Sequence, residues 1–442
     1  MERTPRPTRL LVVSLLVAAA FFAGLSVDHA ASAARGRGET YRPLDVFSDV
    51  LGHVENSYVE EVEPRELVYG AIEGLVGRLD PHSTFLRPDA YRAMREETSG
   101  EFDGLGLELT VQDGRLTVVA PLADSPGERA GIRPGDLLVA IDGEPTREMT
   151  LVEAIRRMKG PPGTRVELEI LREGFAAPQK LALVRDRIRM QSVEWRVLDA
   201  ERGYAYVRVK AFQERTDRSM RRALDDARAA VRGELRGLVL DLRNNPGGLL
   251  DQAVRVSDAF LASGVIVTTE GRGRRNVEVE RAREKETEPG YPLIVLVNRG
   301  TASASEIVAG ALQDHGRAVI LGTPTFGKGS VQTIIDLEDG SGLKLTVARY
   351  YTPKHRSIQE AGIAPDVVVA EVAPPVRSEE GMPAERDLKR HLRGEVATAP
   401  QASGGEDFQL RTAVDYLRAV DILKASPPPP RGVAAQGRDQ SR

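Results

Sequence analysis

Hydrophobic residues recur along this chain with three different periods, and each period predicts a different kind of structure. An apolar run, Leu10–Val27, comes first. From about Arg35 to Glu97 the apolar positions repeat every three to four residues. Val46, Val50, Leu51, Val54 and Tyr58 form one helical stripe, and Leu67, Ile72, Leu75 and Leu79 a second. Asp80-Pro81-His82-Ser83 then breaks the helix, which makes His82 a turn residue beside a proline. From about Gly100 to Arg185 the period shortens to two. Leu105, Leu107 and Leu109 alternate with small or polar residues, Asp113-Gly114 offers a hairpin turn, and Leu116–Val119 answers as a second strand. Leu137–Ile141 reads as a buried strand ending at Asp142-Gly143. Thr150 with Glu153 caps a helix over Leu151–Met158, and Val166–Ile170 alternates cleanly. From about Val193 to Val369 strands and helices take turns: Gly203–Val209, Gly237–Leu242 and Leu293–Val297 as strands, Asp251–Leu261 and Ser303–Gln313 as helices. This alternation predicts an α/β core with a largely buried sheet. Beyond Ala373 the chain turns polar, with one amphipathic helix over Phe408–Leu423 and a Pro427–Pro430 run leading into a disordered tail.

The pattern divides the 442 residues into five parts: an N-terminal signal or anchor (1–34), a helical region (35–98), a small αβ module (99–187), the α/β core (188–373) and a C-terminal extension (374–442). Arg3, Arg6 and Arg9 ahead of the apolar run, with Ala31-Ser32-Ala33 after it, give the layout of an export signal. The run is also about long enough to remain as an uncleaved membrane anchor. Either way the rest of the chain lies outside the cytoplasm, most simply in a bacterial periplasm. A net charge of −4 gives no electrostatic case for a nucleic-acid partner. Absence of cysteine excludes disulfides, thiolate nucleophiles and cysteine-based metal sites. No two of the six histidines have the spacing of a helical zinc motif, so neither metal nor cofactor is expected.

Within the αβ module, Gly104-Leu105-Gly106-Leu107 enters a strand. Backbone N–H groups in such a loop suit a terminal carboxylate, and the strand edge can accept a peptide as an added strand. The order Ala130-Gly131-Ile132-Arg133-Pro134-Gly135-Asp136, then Val139-Ala140-Ile141-Asp142-Gly143, resembles a PDZ domain of the circularly permuted bacterial kind. That resemblance implies a groove, with Gly104, Leu105, Gly106 and Leu107 at its carboxylate end, that binds the C-terminus or an extended stretch of a substrate protein.

Three segments of the core carry candidate chemistry. The strand Leu238–Leu242 runs into Arg243-Asn244-Asn245-Pro246-Gly247-Gly248, whose unobstructed N–H groups suit an oxyanion hole or an ordinary strand-to-helix turn. In Asn298-Arg299-Gly300-Thr301-Ala302-Ser303-Ala304-Ser305-Glu306 a serine opens a helix, close to N–H groups that favour developing negative charge. Ser303 with Glu306 also fits a capping box, and Ser305 is a second hydroxyl in the same turn. The third segment is Gly322-Thr323-Pro324-Thr325-Phe326-Gly327-Lys328-Gly329-Ser330-Val331-Gln332. A nucleophilic serine needs a base, and His315, three turns along the helix, lies ~18 Å from Ser303. A lysine can serve when burial leaves it neutral, whereas an arginine stays charged. Lysines number only nine in this arginine-rich chain, and one stands in its most glycine-rich loop. An extended chain after Lys328 places Gln332 on the same face.

Together these segments resemble the C-terminal processing peptidases, also called tail-specific proteases, over roughly Asp45 to Asp366. Ser303-Ala304-Ser305-Glu306-Ile307, Phe326-Gly327-Lys328-Gly329, the interval of 25 residues between Ser303 and Lys328 (328 − 303) and Arg349-Tyr350-Tyr351-Thr352-Pro353 carry the likeness. It implies a PDZ-containing α/β serine endopeptidase, a mixed sheet flanked by helices with the PDZ domain inserted and a helical N-terminal region. Ser303 would be the nucleophile, Lys328 the general base and Gln332 its orienting partner. Ala304 and one of Gly247 or Gly248 would supply the oxyanion-hole N–H groups. Implied partners are protein or peptide substrates in the PDZ groove, a membrane at the N-terminus, and a second copy or an adaptor protein. The sequence departs from the family at Lys354-His355, where small turn residues are usual.

Two other readings compete. Gly322 to Lys328 matches G-x-x-x-x-G-K of a phosphate-binding loop, but Gly329 follows where Ser or Thr should hold magnesium, and Val331–Leu337 reads as a strand rather than the required helix. A catalytically inactive PDZ scaffold would leave the Ser303, Lys328 and Gln332 set without a purpose.

Overall fold

A computed structural model describes residues 42–371 and 407–425. The export-signal segment, with its apolar run Leu10–Val27 and the Ala31-Ser32-Ala33 stretch, and the Pro427–Pro430 run lie outside the described residues. Among those described, no helix is long and apolar enough to cross a membrane. The chain forms two compact units, the first ending at Arg87 and the second starting at Pro88.

In the first unit, helix α1 (42–57) is followed by α2 (Pro64–Val76) and a short strand β1 (Thr84–Leu86). Pro64 opens α2 at a position where its missing N–H costs nothing. Helices form over both apolar stripes, whose members Leu51, Val54, Leu67 and Ile72 are half-buried. Val46, Val50, Leu75 and Leu79 are exposed, and α2 buries Tyr69 and Val76 instead. Tyr69 stacks at a tilt on Phe85, 5.1 Å between ring centres. The break at Asp80 forms as expected: its carboxylate accepts the N–H groups of His82 and Ser83 and the Ser83 hydroxyl.

The second unit opens with α3 (Pro88–Ser99) and β2 (Glu101–Gly104) and then builds the αβ module expected to be a PDZ domain. Its elements are β3 (Leu107–Gln112), β4 (Arg115–Pro121), α4 (Pro126–Arg129), β5 (Leu137–Ile141), β6 (Glu144–Pro145), α5 (Leu151–Met158), β7 (Arg165–Leu171), β8 (Gln179–Val184) and β9 (Asp186–Arg189). Asp113 and Gly114 both take positive φ, which suits the tight turn joining β3 to β4. Thr150 Oγ1 accepts the Glu153 N–H and caps α5. Inward residues of β4, β5 and β7 (Leu116, Val118, Leu138, Ile141, Val166, Leu168, Ile170) close over Ala154 and Met158 of α5. Strand order β3-β4-β5-β7-β8 leaves β3 at an edge, paired only with β4.

The α/β core follows: β10 (Val193–Asp199), β11 (Tyr204–Val209), α6 (Thr216–Ala230), β12 (Gly237–Asp241), α7 (Leu250–Asp258), β13 (Val265–Gly271), β14 (Glu278–Arg281), β15 (Leu293–Val297), α8 (Ala304–Asp314), β16 (Val319–Gly322), β17 (Ser330–Asp336), β18 (Gly342–Tyr351), β19 (Val367–Val368) and α9 (Phe408–Ala425). Its main sheet runs β10-β11-β12-β15-β16-β19, antiparallel at the first pair and parallel thereafter. Every residue of β12 and β15 is buried because both faces of the sheet are covered. Leu238, Leu240, Leu293, Val295 and Val297 face Met220 and Leu224 of α6, Val256 of α7 and Ile307, Val308 and Leu312 of α8. Val239, Ile294, Leu296 and Leu321 point the other way, onto Leu410, Ala413 and Leu417 of α9. The C-terminal helix is therefore the second cover of the sheet. A smaller antiparallel sheet carries β17, β18, β13 and β14.

Asp136 shows what holds the PDZ domain. The carboxylate is 1% exposed and accepts Arg172 Nε at 2.6 Å, Arg172 Nη2 at 2.7 Å and the Arg133 N–H at 2.8 Å. Burial alone would push its carboxyl up, but these bonds and the Arg172 and Arg133 charges outweigh it and hold it below the usual carboxylate range. A depressed pKa stabilises the fold above the unfolded value, and that contribution is lost as pH falls through the folded value. Asp136→Asn, which strands the Arg172 guanidinium, should cost the domain about 3 kcal/mol at neutral pH. The gap from wild type should close in acid. Urea denaturation at pH 7 and in the acid range checks both parts.

Candidate active site

Strand β15 stops at Val297, and six residues later a helix begins with a serine held in an unusual conformation. Ser303 has φ 58° and ψ −118° and sits at the N-cap of α8. A non-glycine residue there stores strain of about 1–3 kcal/mol, so its surroundings must over-determine it. They do so through one carboxylate. Glu306, fully buried, accepts the Ser303 N–H at 2.8 Å and the Lys328 N–H at 2.9 Å on Oε2. Its Oε1 accepts the Gly327 N–H at 2.8 Å and the Thr325 hydroxyl at 2.5 Å. Burial pushes the Glu306 carboxyl up, while the four donors from Thr325, Ser303, Gly327 and Lys328 pull against it. One side chain thus fixes the backbone of the serine turn and that of the lysine loop. The capping-box pairing read from the sequence is present as the Glu306-to-Ser303 bond, and it reaches a second loop 22 residues further along the chain.

The strand-to-loop segment after β12 packs against the same turn. Asn245, fully buried, donates Nδ2 to the Val209 carbonyl, and its own carbonyl accepts both the Ala302 N–H and the Ser305 hydroxyl. Ser305 is therefore committed to holding the two loops together. Gly247 lies so close to the serine turn that a Cβ there would stand 2.8 Å from Ser303 Cβ and 2.9 Å from the Ala304 nitrogen. Its φ of 101° also belongs to glycine. Gly247 donates its N–H to Asn245 Oδ1 at 2.9 Å. Gly248 bridges in parallel to Phe212, and the two rung bonds involve the Gly247 carbonyl and the Leu249 N–H. The Gly248 N–H therefore points away from Phe212. Arg243 anchors the base of this loop: its guanidinium bonds Asp241 and, with two parallel bonds of 2.9 and 2.6 Å, Asp407 just before α9.

Ser303, Ala304, Gly247, Gly248, Lys328 and Gln332 all line a single cavity of ≈ 310 Å³. Met94, Phe212, Leu250, Ile307 and Val331 give it apolar walls, and Tyr350 closes its floor. Lys328 stands in the loop ahead of β17, half-buried. The strand read over Val331–Leu337 forms as Ser330–Asp336, so the helix that a phosphate-binding loop requires is replaced by extended chain. Gln332 reaches the cavity from β17 and donates its amide nitrogen to Ser330 Oγ at 2.9 Å and Thr346 Oγ1 at 3.3 Å. His315 lies at the far end of α8, with Nε2 2.7 Å from the Val265 carbonyl. At Lys354-His355 a tight turn forms with His355 at φ 57°, its ring stacked on Tyr351 at 4.6 Å. A small residue would adopt that φ more easily; here stacking accompanies it.

In the PDZ domain, Leu105 is a core residue, 2% exposed. Gly104 ends β2, and Leu107 opens edge strand β3. Gly106, at φ 67°, is pressed against Ser125, where a Cβ would come within 2.4 Å of the Ser125 Cβ. The carbonyls of Leu105 and Gly106 are tied to the N–H groups of Gly127 and Leu122.

Known proteins resemble this chain. Residues 203–369 match the model of peptidase family S41, and residues 117–172 match a PDZ domain. A carboxy-terminal-processing protease of Bartonella bacilliformis is 42% identical over 405 residues, 89% of this chain and 92% of that protein. The chain belongs to the carboxy-terminal processing proteases of family S41. A carboxyl-terminal-processing protease of Synechocystis is 41% identical over 69% of this chain and 71% of its own length. Among solved structures, a photosystem II D1 C-terminal processing protease is 32% identical, over 73% of this chain and 92% of that one, with a TM-score of 0.42. As a processing protease the chain is a serine peptidase built from an α/β core and a PDZ domain, acting on peptides or proteins. Two residues of its cavity region escaped sequence reasoning. Glu306 looked like no more than the partner in a helix cap, and Tyr350 lay within a family-like motif that gave no hint of its neighbours.

Glu306→Gln tests the hub. An amide nitrogen must replace one oxygen and would face N–H donors. Stability should fall by about 3 kcal/mol. Peptidase activity per folded molecule should fall with it, because both loops lose a common anchor. A urea midpoint and an activity within error of wild type would contradict that role.

Proposed function

We propose that this processing protease is an exported Ser–Lys endopeptidase that cleaves proteins near their C-termini, with the PDZ groove selecting them. The observation that carries this reading is the shared cavity: Ser303 and Lys328 line it together, and Glu306 holds the backbone of both. A hydroxyl, an amine and N–H groups in one partly apolar cleft suit acyl transfer.

Substrate enters by its tail. β3 offers an unpaired edge, and α5 presents Val152 and Ile155 to solvent beside it, 76% and 37% exposed. An added strand on β3 would gain main-chain hydrogen bonds, and apolar side chains would gain contact with α5. The loop Gly104–Leu107 would receive the terminal carboxylate.

At the cavity, the neutral Lys328 amine takes the Ser303 hydroxyl proton as Oγ attacks the scissile carbonyl. The N–H groups of Ala304 and Gly248 receive the oxyanion; Gly247, with its N–H bonded to Asn245, holds the serine turn instead. Lys328 then passes the proton to the departing amine, and the acyl-enzyme forms. Water, activated by the same amine, releases the new C-terminus. Gln332, whose amide nitrogen donates to Ser330 and Thr346, is left to turn its carbonyl oxygen towards the lysine. The basic and apolar N-terminal segment 1–34 supports export.

Ser303→Ala should abolish peptide cleavage and leave binding of a C-terminal peptide to the PDZ domain intact. Lys328→Arg should be as inactive, because an arginine keeps its proton. Steady-state cleavage of a fluorogenic peptide and fluorescence anisotropy of a labelled tail peptide measure the two effects. Near-normal cleavage by Lys328→Arg would remove the lysine base, and cleavage surviving Ser303→Ala would remove the nucleophile. An inactive scaffold would bind the tail and cleave nothing in any form.

A further inference from the structure

The Ser303 hydroxyl touches an ionisable side chain outside the Ser–Lys pair. Tyr350, at the end of β18 and 3% exposed, places its phenol oxygen 2.8 Å from Ser303 Oγ. Its backbone N–H donates to the Gly329 carbonyl at 3.0 Å, one residue beyond Lys328. A single residue therefore contacts the serine oxygen with its side chain and the lysine loop with its backbone. We infer that Tyr350 is a further catalytic residue, whose phenol O–H donates to Ser303 Oγ, leaves the serine proton facing Lys328 and stabilises the charge that develops on Oγ during attack. This inference rests on the Ser–Lys reading.

The direction of the bond follows from a count of protons. Each hydroxyl carries one hydrogen, and one of the two must donate. Among the described residues the Tyr350 hydroxyl has no other hydrogen-bond partner. Were serine the donor, the phenol hydrogen would have no acceptor among the described residues. With tyrosine as donor, both its hydrogen and a serine lone pair are satisfied, and the serine hydrogen stays available to a base. Burial pushes the phenol up to about 12; the Ser303 bond pulls it down and the nearby Glu306 charge pushes it up again. Tyr350 consequently stays protonated wherever the enzyme works, as a donor and not as a competing base. When Ser303 Oγ loses its proton to Lys328, the Tyr350 bond becomes charge-assisted and strengthens. No proton leaves Tyr350 in the cycle. A bond that grows stronger on the way to the transition state raises kcat more than it lowers KM.

Tyr350→Phe keeps the buried ring and removes the hydroxyl. It should lower kcat about 100-fold, leave KM within about twofold, and slow phosphonylation of Ser303 by a fluorophosphonate probe by a similar factor. Tail-peptide binding to the PDZ domain should not change. Rates are taken per folded molecule from near-UV circular dichroism, so a purely structural tyrosine would lower the melting temperature and spare kcat. Tyr350→3-fluorotyrosine, which retains the hydroxyl, should keep kcat within about threefold of wild type and covers the case in which phenylalanine fails to fold. The inference is overturned if kcat of the phenylalanine variant stays within twofold or rises, or if fluorotyrosine is as damaging as phenylalanine. Ser303→Ala, run alongside, separates the two levels. If it retains cleavage, the nucleophile assignment beneath the inference fails. If it is inactive while Tyr350→Phe is normal, only the inference does.

Discussion

Four donors converging on one buried carboxylate hold the reactive part of this protein together. Glu306 is one helical turn from Ser303 in sequence but 19 to 22 residues from Thr325, Gly327 and Lys328. Placing a carboxylate away from water is expensive, and only a full set of hydrogen bonds offsets it. The expense has a structural return: the strained backbone of Ser303 and the glycine-rich lysine loop cannot drift apart without uncovering that charge. Asn245 does the same for the third loop, with its carbonyl on Ala302 and Ser305 and its side chain on Val209 and Gly247. The site is thus three loops pinned by two buried polar residues, Glu306 through its carboxylate and Asn245 through its backbone carbonyl and side-chain amide, neither of which lines the cavity.

Those pins stand on a sheet whose burial is unusually complete. β12 and β15 deliver the two loops from neighbouring parallel strands, so the Gly247 turn and the Ser303 turn emerge side by side. Helices α6, α7 and α8 cover one face of that sheet, and α9 covers the other. Arg243 links this second cover to the site, because its guanidinium joins Asp241 at the strand end to Asp407 at the start of α9. Burial pushes the Asp407 carboxyl up, but Arg243 and the local N–H groups outweigh it and hold it low. The C-terminal helix is in this way part of the support beneath the Gly247 loop.

Much of this was legible in the residues, and the exceptions have physical reasons. Leu293–Val297 and the Thr150-capped helix Leu151–Met158 were readable because burial on both faces and helix capping are local in sequence. Asp113-Gly114 and the strand after Lys328 were readable for the same kind of reason. The stripes through Val46/Val50 and Leu75/Leu79 gave the helices but not their burial, because periodicity reports a helix with an apolar face and does not report what covers it. That Asn245 takes up the Gly247 N–H is encoded in no spacing. Tyr350 lies 47 residues from Ser303, and their contact exists only because β18 pairs with both β13 and β17. Long-range pairing of this kind is where a single sequence falls silent.

Catalysis in this protein comes down to which oxygen is acylated. Turnover of an activated ester of a short peptide can be quenched in acid within the first cycle and the digested protein mapped by mass spectrometry. The acyl group should sit on the peptide that contains Ser303, at that residue, and be absent from Ser305. An adduct on Ser305, or turnover with no covalent adduct at either serine under conditions that trap one in other acyl-enzymes, would contradict the assignment of Ser303 as nucleophile.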